Sequence, residues 1–273
     1  MSWGFNACGF LVAVLAYAPE VSAAPPSAIP PGPPAAPGGV NPCNSKSGGV
    51  FPELAYHQGR LWCAVQTENA LRVVELEADL SVRSERTLPL GPGSLAFPRM
   101  ASEGSALWLA YRDMDTARLV NLTSGASQVL GVSGGNDPVA VGGGIVAWQS
   151  ADKGFTINTR PLAGGAPARQ GSGRPTGLSR VLPGGRATLI DDDRFAVPPG
   201  TRPCWAGDMA VVEGPESGNI ARVGDGRQAL LFPGKEAFTP KCAAQGGRYA
   251  VASWGREGVF IAQLGAGDFT RSA

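Results

Sequence analysis

The chain has 273 residues, 43% hydrophobic and only 16% charged, with 39 glycines, 24 prolines and a formal charge of +1. That balance excludes a disordered acidic tail and leaves no electrostatic excess to grip a phosphate backbone, so no nucleic-acid partner is expected. A single histidine, His57, excludes a multi-histidine metal site and leaves only one base for a Ser-His-Asp or Cys-His catalyst.

At the front, Ala7 to Ala18 form an apolar run followed by Val21-Ser22-Ala23, small residues suited to signal peptidase. Residues 1–23 therefore read as a secretory signal, although no Lys or Arg precedes the run. The run falls short of the roughly 20 residues that cross a bilayer. No membrane span is expected after cleavage, and the mature chain is expected to be periplasmic or secreted. Residues 24–42, dominated by Pro, Ala and Gly, read as an extended tether. Cleavage removes Cys8 and leaves Cys43, Cys63, Cys204 and Cys242, an even number that allows two disulfides in an oxidising compartment. Three pairings are open.

Residues 43–273 repeat one phrase six times: a turn residue, an alternating stretch, a Gly-containing turn, then a strongly apolar strand. The copies start at Pro52, Pro98, Pro138, a degenerate one near Pro175, Pro203 and Pro240, at steps of 28 to 46 residues. Ala stands three places after Pro in four of them, and Trp62, Trp108 and Trp148 stand ten places after theirs. Further apolar strands follow each phrase (LRVVEL, ARLVNL, FTINTRPL, NIARVG, VFIAQL), making units of about four short strands. A sheet this small cannot cover both its faces, whereas sheets packed face to face around an axis cover one another.

The expected fold is therefore all-β, a β-propeller of six short blades, with five blades or an irregular ring as the alternative and a β-sandwich as the competitor. Asp268 to Arg271 reads as the last unit's own final strand. Cys204 and Cys242 fall just after Pro in adjacent units, on strands near the axis, which favours pairing them with each other and Cys43 with Cys63.

The phrases WLAYRD, VAWQSAD and VASWGRE resemble repeats of secreted bacterial β-propellers, the sialidase-like and TolB-like groups. Ser150-Ala151-Asp152-Lys153-Gly154-Phe155-Thr156 is similar to the Asp-box of sialidase-like propellers, with Ile157 where an aromatic usually follows. In that family the box is a hairpin turn, so the resemblance implies architecture. The arginine triad, Tyr/Glu nucleophile pair and acid/base Asp of sialidases cannot be assigned to residues of this chain.

In propellers, the loops between sheets and those between second and third strands share one face around the channel. That face is expected to carry Asp113, Asp115, Asp152, Asp191, Asp192, Asp193, Glu213, Arg174, Arg202 and Arg256. Asp191 to Asp193 is the most concentrated acidic spot, but solvated turn carboxylates are commoner than oxygen-ligand cation sites, and no metal is expected. His57 is expected in an exposed turn on the opposite face. No G-x-S-x-G, Walker or dinucleotide motif is present, and no cofactor is expected. The leading reading is a monomeric, non-catalytic propeller binding a protein or glycan. The alternatives are a glycoside hydrolase or lyase of sialidase-like type, or a metal-dependent propeller hydrolase.

Overall fold

A computed structural model describes residues 50–134, 138–150, 156–172, 178–182, 186–189, 204–213, 218–235, 237–256 and 258–271. The chain divides into two units, Met1–Pro30 and Pro31–Ala273, and all described residues belong to the second. The signal segment, the tether and Cys43 lie outside them.

Six antiparallel sheets follow one another along the chain. The first is β1 (Val50–His57), β2 (Arg60–Thr67), β3 (Ala70–Leu76) and β4 (Val82–Pro89). The second is β5 (Arg99–Glu103), β6 (Ala106–Asp113), β7 (Thr116–Asn121) and β8 (Ser127–Val132). The third is β9 (Val139–Gly142), β10 (Ile145–Gln149), β11 (Thr156–Pro161) and β12 (Ala168–Ser172). The fourth pairs β13 (Leu178–Leu182) with β14 (Arg186–Leu189). The fifth holds β15 (Cys204–Ala206), β16 (Met209–Glu213), β17 (Asn219–Val223) and β18 (Arg227–Leu231). The sixth is β19 (Phe238–Gln245), β20 (Arg248–Gly255) and β21 (Gly258–Gly265). A 3-10 turn, Ala266–Asp268, then leads to β22 (Thr270–Arg271).

The first strands lie side by side in the order β15, β19, β1, β5, β9, β13, so the first and last of the fully described sheets meet. That arrangement is a β-propeller, and the cores show why it holds. Along β2, Leu61, Cys63 and Val65 pack toward the sixth sheet, while Trp62 and Ala64 pack toward the second. Along β6, Leu107, Leu109 and Tyr111 face the first sheet, and Trp108 and Ala110 the third. Along β20, Ala250 and Ala252 face the first sheet, and Tyr249 and Val251 the fifth. The period-two alternation thus serves two neighbours at once. Each fully buried Leu, such as Leu61, Leu107 or Leu109, contributes about 1.5–3 kcal/mol through removal from water.

The recurring Ala and Trp have a packing reason. Ala55 stands opposite Trp62 and Ala101 opposite Trp108, so a small side chain on the first strand accompanies a large one on the second. In the third sheet this equivalence fails. Trp148 stands opposite Val139 and packs back into the same core as Trp108, whereas Trp62 and Trp108 both point to the next sheet. The stretch before the β9–β10 turn is one residue shorter, and a one-residue slip turns a strand's side chains over.

Two expectations are corrected. Thr270–Arg271 does not complete the last sheet: it pairs with β18 at the outer edge of the fifth. The described meeting of the first and sixth sheets is therefore by packing, through Leu54, Val74 and Leu76 against Ala243, Ala250 and Val259. His57 is not an exposed turn residue. It ends β1 with 5% of its surface exposed, its Nδ1 2.8 Å from Ser102 Oγ on β5. Burial of the ring lowers its pKa.

Candidate functional site

Successive hairpins bring the β2–β3 and β6–β7 turns and the connections from fourth to first strands to one end of the strands. The β4–β5 connection there is Gly-Pro-Gly-Ser-Leu-Ala-Phe-Pro, Gly91 to Pro98, a composition that cannot continue a sheet. Buried side chains hold it instead. Gln66 Nε2 donates to the Ser94 carbonyl, and Gln66 Oε1 accepts from Ala96 N–H at 2.7 Å. The Ala96 carbonyl accepts from Arg112 N–H at 2.8 Å, so Ala96 is bound on both sides.

Asp113 completes the clamp. Its Oδ1 accepts from Gly91 N–H at 2.8 Å and Ser94 Oγ at 3.0 Å, and its Oδ2 from Arg118 Nε at 3.1 Å. Ser94 Oγ in turn accepts from Met114 N–H at 2.8 Å. Burial by itself raises the Asp113 carboxyl, but the Gly91 and Ser94 hydrogen bonds and the Arg118 charge outweigh it and hold the pKa below the usual aspartate value.

The clamped loop presents apolar groups to solvent. Leu95 is 45% exposed and Met114 54% exposed. Arg112 Nε donates to the Leu95 carbonyl at 3.2 Å, and its guanidinium lies 5.2 Å above the Phe97 ring. The Phe97 ring is 4.7 Å from Phe51, which is 5.9 Å from Trp254. Phe51 and Phe97 both precede proline and have left-handed backbones, φ 52° and 44°. A bulky side chain in that region, before proline, stores strain of order 1–3 kcal/mol that the surroundings must hold. The same dipeptide recurs at Phe232-Pro233, φ 53°, where Phe232 meets Phe260 at 5.7 Å and Lys235 lies 6.0 Å from the Phe260 ring.

Among the expected binding residues, Asp113 and Asp115 flank Met114 in one turn. Asp113 is turned inward as described, and Asp115 is exposed. Arg256 is exposed after β20, and Glu213 ends β16 opposite Asn219. Asp152, Arg174, Asp191, Asp192, Asp193 and Arg202 lie outside the described residues. So does the middle of the Asp-box-like stretch, although its flanks meet, with Ser150 N–H donating to the Thr156 carbonyl at 2.9 Å. Among the described residues no group of three or more His, Cys, Asp or Glu side chains is placed to hold a metal ion. No described helix is long and apolar enough to cross a membrane.

The sequence by itself does not single out Leu95, Phe97 and Met114. The available signal was the presence of two large apolar residues in a Gly/Pro-rich connection, where solvent would otherwise be the neighbour.

Cys204 and Cys242 form a disulfide between β15 and β19, with Cα atoms 5.9 Å apart. Cys63 is fully buried among Leu54, Leu61 and Val65.

No family model and no curated protein matches the chain. Among solved structures, it is similar to Kluyveromyces lactis Hsv2 at 12% identity and TM-score 0.40, covering 76% of this chain and 70% of that one. It is similar to a Myxococcus xanthus glutaminyl cyclase at 14% identity and TM-score 0.39, covering 79% and 92%. A chain of a nidogen/laminin complex matches at 12% identity and TM-score 0.33, covering 78% and 76%. Likeness at this level carries no argument, and the propeller stands on this chain's own strand pairing and cores.

Proposed function

We propose that this protein is an exported, non-catalytic propeller that binds a protein partner through its loop-rich face. The supporting observation is a fixed loop with uncovered apolar side chains: Gln66, Ser94 and Asp113 hold the Gly91–Pro98 backbone while Leu95 and Met114 face solvent beside Arg112. Protein interfaces draw most of their affinity from a few apolar and arginine anchors ringed by polar groups, and a surface ordered in advance loses less entropy on binding. In this reading Asp115, Asp152, Asp191, Asp192, Asp193, Glu213, Arg174, Arg202 and Arg256 form the polar rim. Residues 1–23 direct export, residues 24–42 hold a monomeric ring clear of its surroundings, and Cys43 pairs with Cys63. A glycan ligand is an outcome the test separates.

The test is quantitative cross-linking capture from envelope extract, with wild-type protein beside the Leu95→Asp/Met114→Asp double variant. The expected result is at least a tenfold loss of one captured protein, since losing two interface anchors costs about 2 kcal/mol or more, with an unchanged melting temperature. Equal capture by both proteins overturns the reading. Capture abolished by glycosidase treatment of the extract, and indifferent to the double variant, also overturns it.

A further inference from the structure

Three rings form a row at the loop-face end, where the sixth, first and second sheets adjoin. Phe51 is the second residue of β1, Phe97 precedes β5, and Trp254 lies near the end of β20. Ring centroids are 4.7 Å apart from Phe97 to Phe51 and 5.9 Å from Phe51 to Trp254, with ring planes inclined by 42° and 61°. All three side chains are only partly buried, and Arg112 borders the row over Phe97. Phe51 and Phe97 hold their rings there on left-handed backbones, each before a proline. Outliers of this kind persist only where the surroundings enforce them, and they cluster at ligand clamps.

Such a row suits a polyproline II segment, which docks on aromatic-lined surfaces and loses little entropy because its backbone is extended beforehand. A segment of this kind has few N–H groups and many carbonyls, so a guanidinium at the margin matches it. The chain itself carries one. Ile29 to Pro37 read Ile-Pro-Pro-Gly-Pro-Pro-Ala-Ala-Pro, without a charge. At three residues per turn, Pro31, Pro34 and Pro37 share one face and Pro30 and Pro33 the next, with a repeat of roughly 9 Å along each face. That repeat is on the scale of the aromatic row.

The place where the described chain begins favours this segment over one from another molecule. β1 starts at Val50, one residue before the central ring of the row. Between Pro37 and Val50 stand residues 38–49, a run of twelve that includes Gly38, Gly39, Gly48 and Gly49. A flexible run of that length spans roughly 17–21 Å root-mean-square, enough to turn back onto Phe51. It keeps the segment near the row at an effective concentration of about 1 mM. We infer that residues 29–37 dock in cis, as a polyproline II strand, on Phe51, Phe97 and Trp254, covering this part of the loop face until a partner displaces them. The displacement rests on the binding reading above, whereas the docking does not. Once released, the segment is the spacer of that reading.

The experiment compares the isotope-labelled full chain with its Pro30→Ser/Pro31→Ser/Pro33→Ser/Pro34→Ser variant, which leaves every described residue unchanged. In the wild type, nuclear Overhauser contacts are expected between the prolines of residues 30–37 and the rings of Phe51, Phe97 and Trp254, unchanged on tenfold dilution. The variant is expected to lose them and to shift the Trp254 indole resonance. A synthetic peptide of residues 29–37 is expected to bind the variant saturably and the wild type at least tenfold more weakly, because the tether already occupies the row at about 1 mM. The inference is overturned if the contacts are absent, or if they weaken on dilution as exchange between two copies would make them. A peptide that fails to saturate the variant, or binds both proteins equally, also overturns it. No partner is present, so the outcome is independent of the capture experiment above.

Discussion

The seam between the first and second sheets and the seam between the fifth and sixth are built from different chemistry. The first joins an eight-residue strand, β1, to β5 over a large core of Leu71, Leu107, Leu109 and Tyr111. Its specific links are non-covalent: Glu53 with Arg99 at 3.2 Å, both nearly buried, and His57 with Ser102 at 2.8 Å. In the other, β15 has only three residues, and a covalent bond joins Cys204 to Cys242. Tyr249 donates to Asp208 at 2.6 Å, and Asn219 donates to Ser253. The cross-link sits where the inner strand is too short to supply much apolar area, as staples do in small scaffolds. Where strands are long, packing suffices and charged groups can be tolerated inside.

The comparison breaks most sharply at the disulfide. With its cysteines separated by 38 positions in the sequence, Cys204→Ser/Cys242→Ser is expected to cost about 4 kcal/mol on the chain-entropy model. Urea denaturation measures it, and native-state hydrogen exchange should show β15, β16 and β19 losing protection before β1 and β5. On the other seam, Arg99→Met leaves the Glu53 carboxylate buried without this partner, at an expected cost of about 3 kcal/mol. Adding Glu53→Gln should recover much of that, and a double-mutant cycle by urea melts checks it.

Titration separates the seams further. Tyr249, at the fifth–sixth seam, and Tyr56, at the sixth–first, both have pKa values pushed up to about 12, first by burial, with the Asp208 hydrogen bond adding for Tyr249. Raised folded-state values mean stability that is complete below pH 10 and lost as pH climbs toward 12, on the order of 2–3 kcal/mol for Tyr56. Alkaline melts of Tyr56→Phe and Tyr249→Phe should each show a shallower decline than wild type. The smallest effect belongs to His57, whose pKa burial lowers. A depressed value means stability present above about pH 6.5 and lost as pH falls below it, so acid melts of His57→Gln should lack that component.

The repeating sheets were legible in the sequence because their signals are local. A proline, a turn and an alternating apolar strand recur within each unit, and the pairing Ala55 with Trp62 or Ala101 with Trp108 is made inside one hairpin. Cys204 and Cys242 were placed correctly for the same reason, each being counted from its own proline. What depended on a neighbour did not read out. Trp148 shares the spacing of Trp62, but the shorter stretch before its turn reverses its face. His57, in a His-Gln-Gly turn, is buried by Ser102, 45 residues away. At the loop face, Asp113 looked like a group offered to a ligand, yet Gly91, Ser94 and Arg118 engage both its oxygens. Leu95 and Met114 carry no periodic pattern, so their exposure emerged only once the loop's anchors were placed.

The pairing of Thr270–Arg271 with β18 has a consequence for folding. Thr270 hydrogen-bonds to Gln228, 42 residues earlier. Until those residues dock, the outer edge of the fifth sheet is an open β edge, a point for pairing with a second copy of the chain.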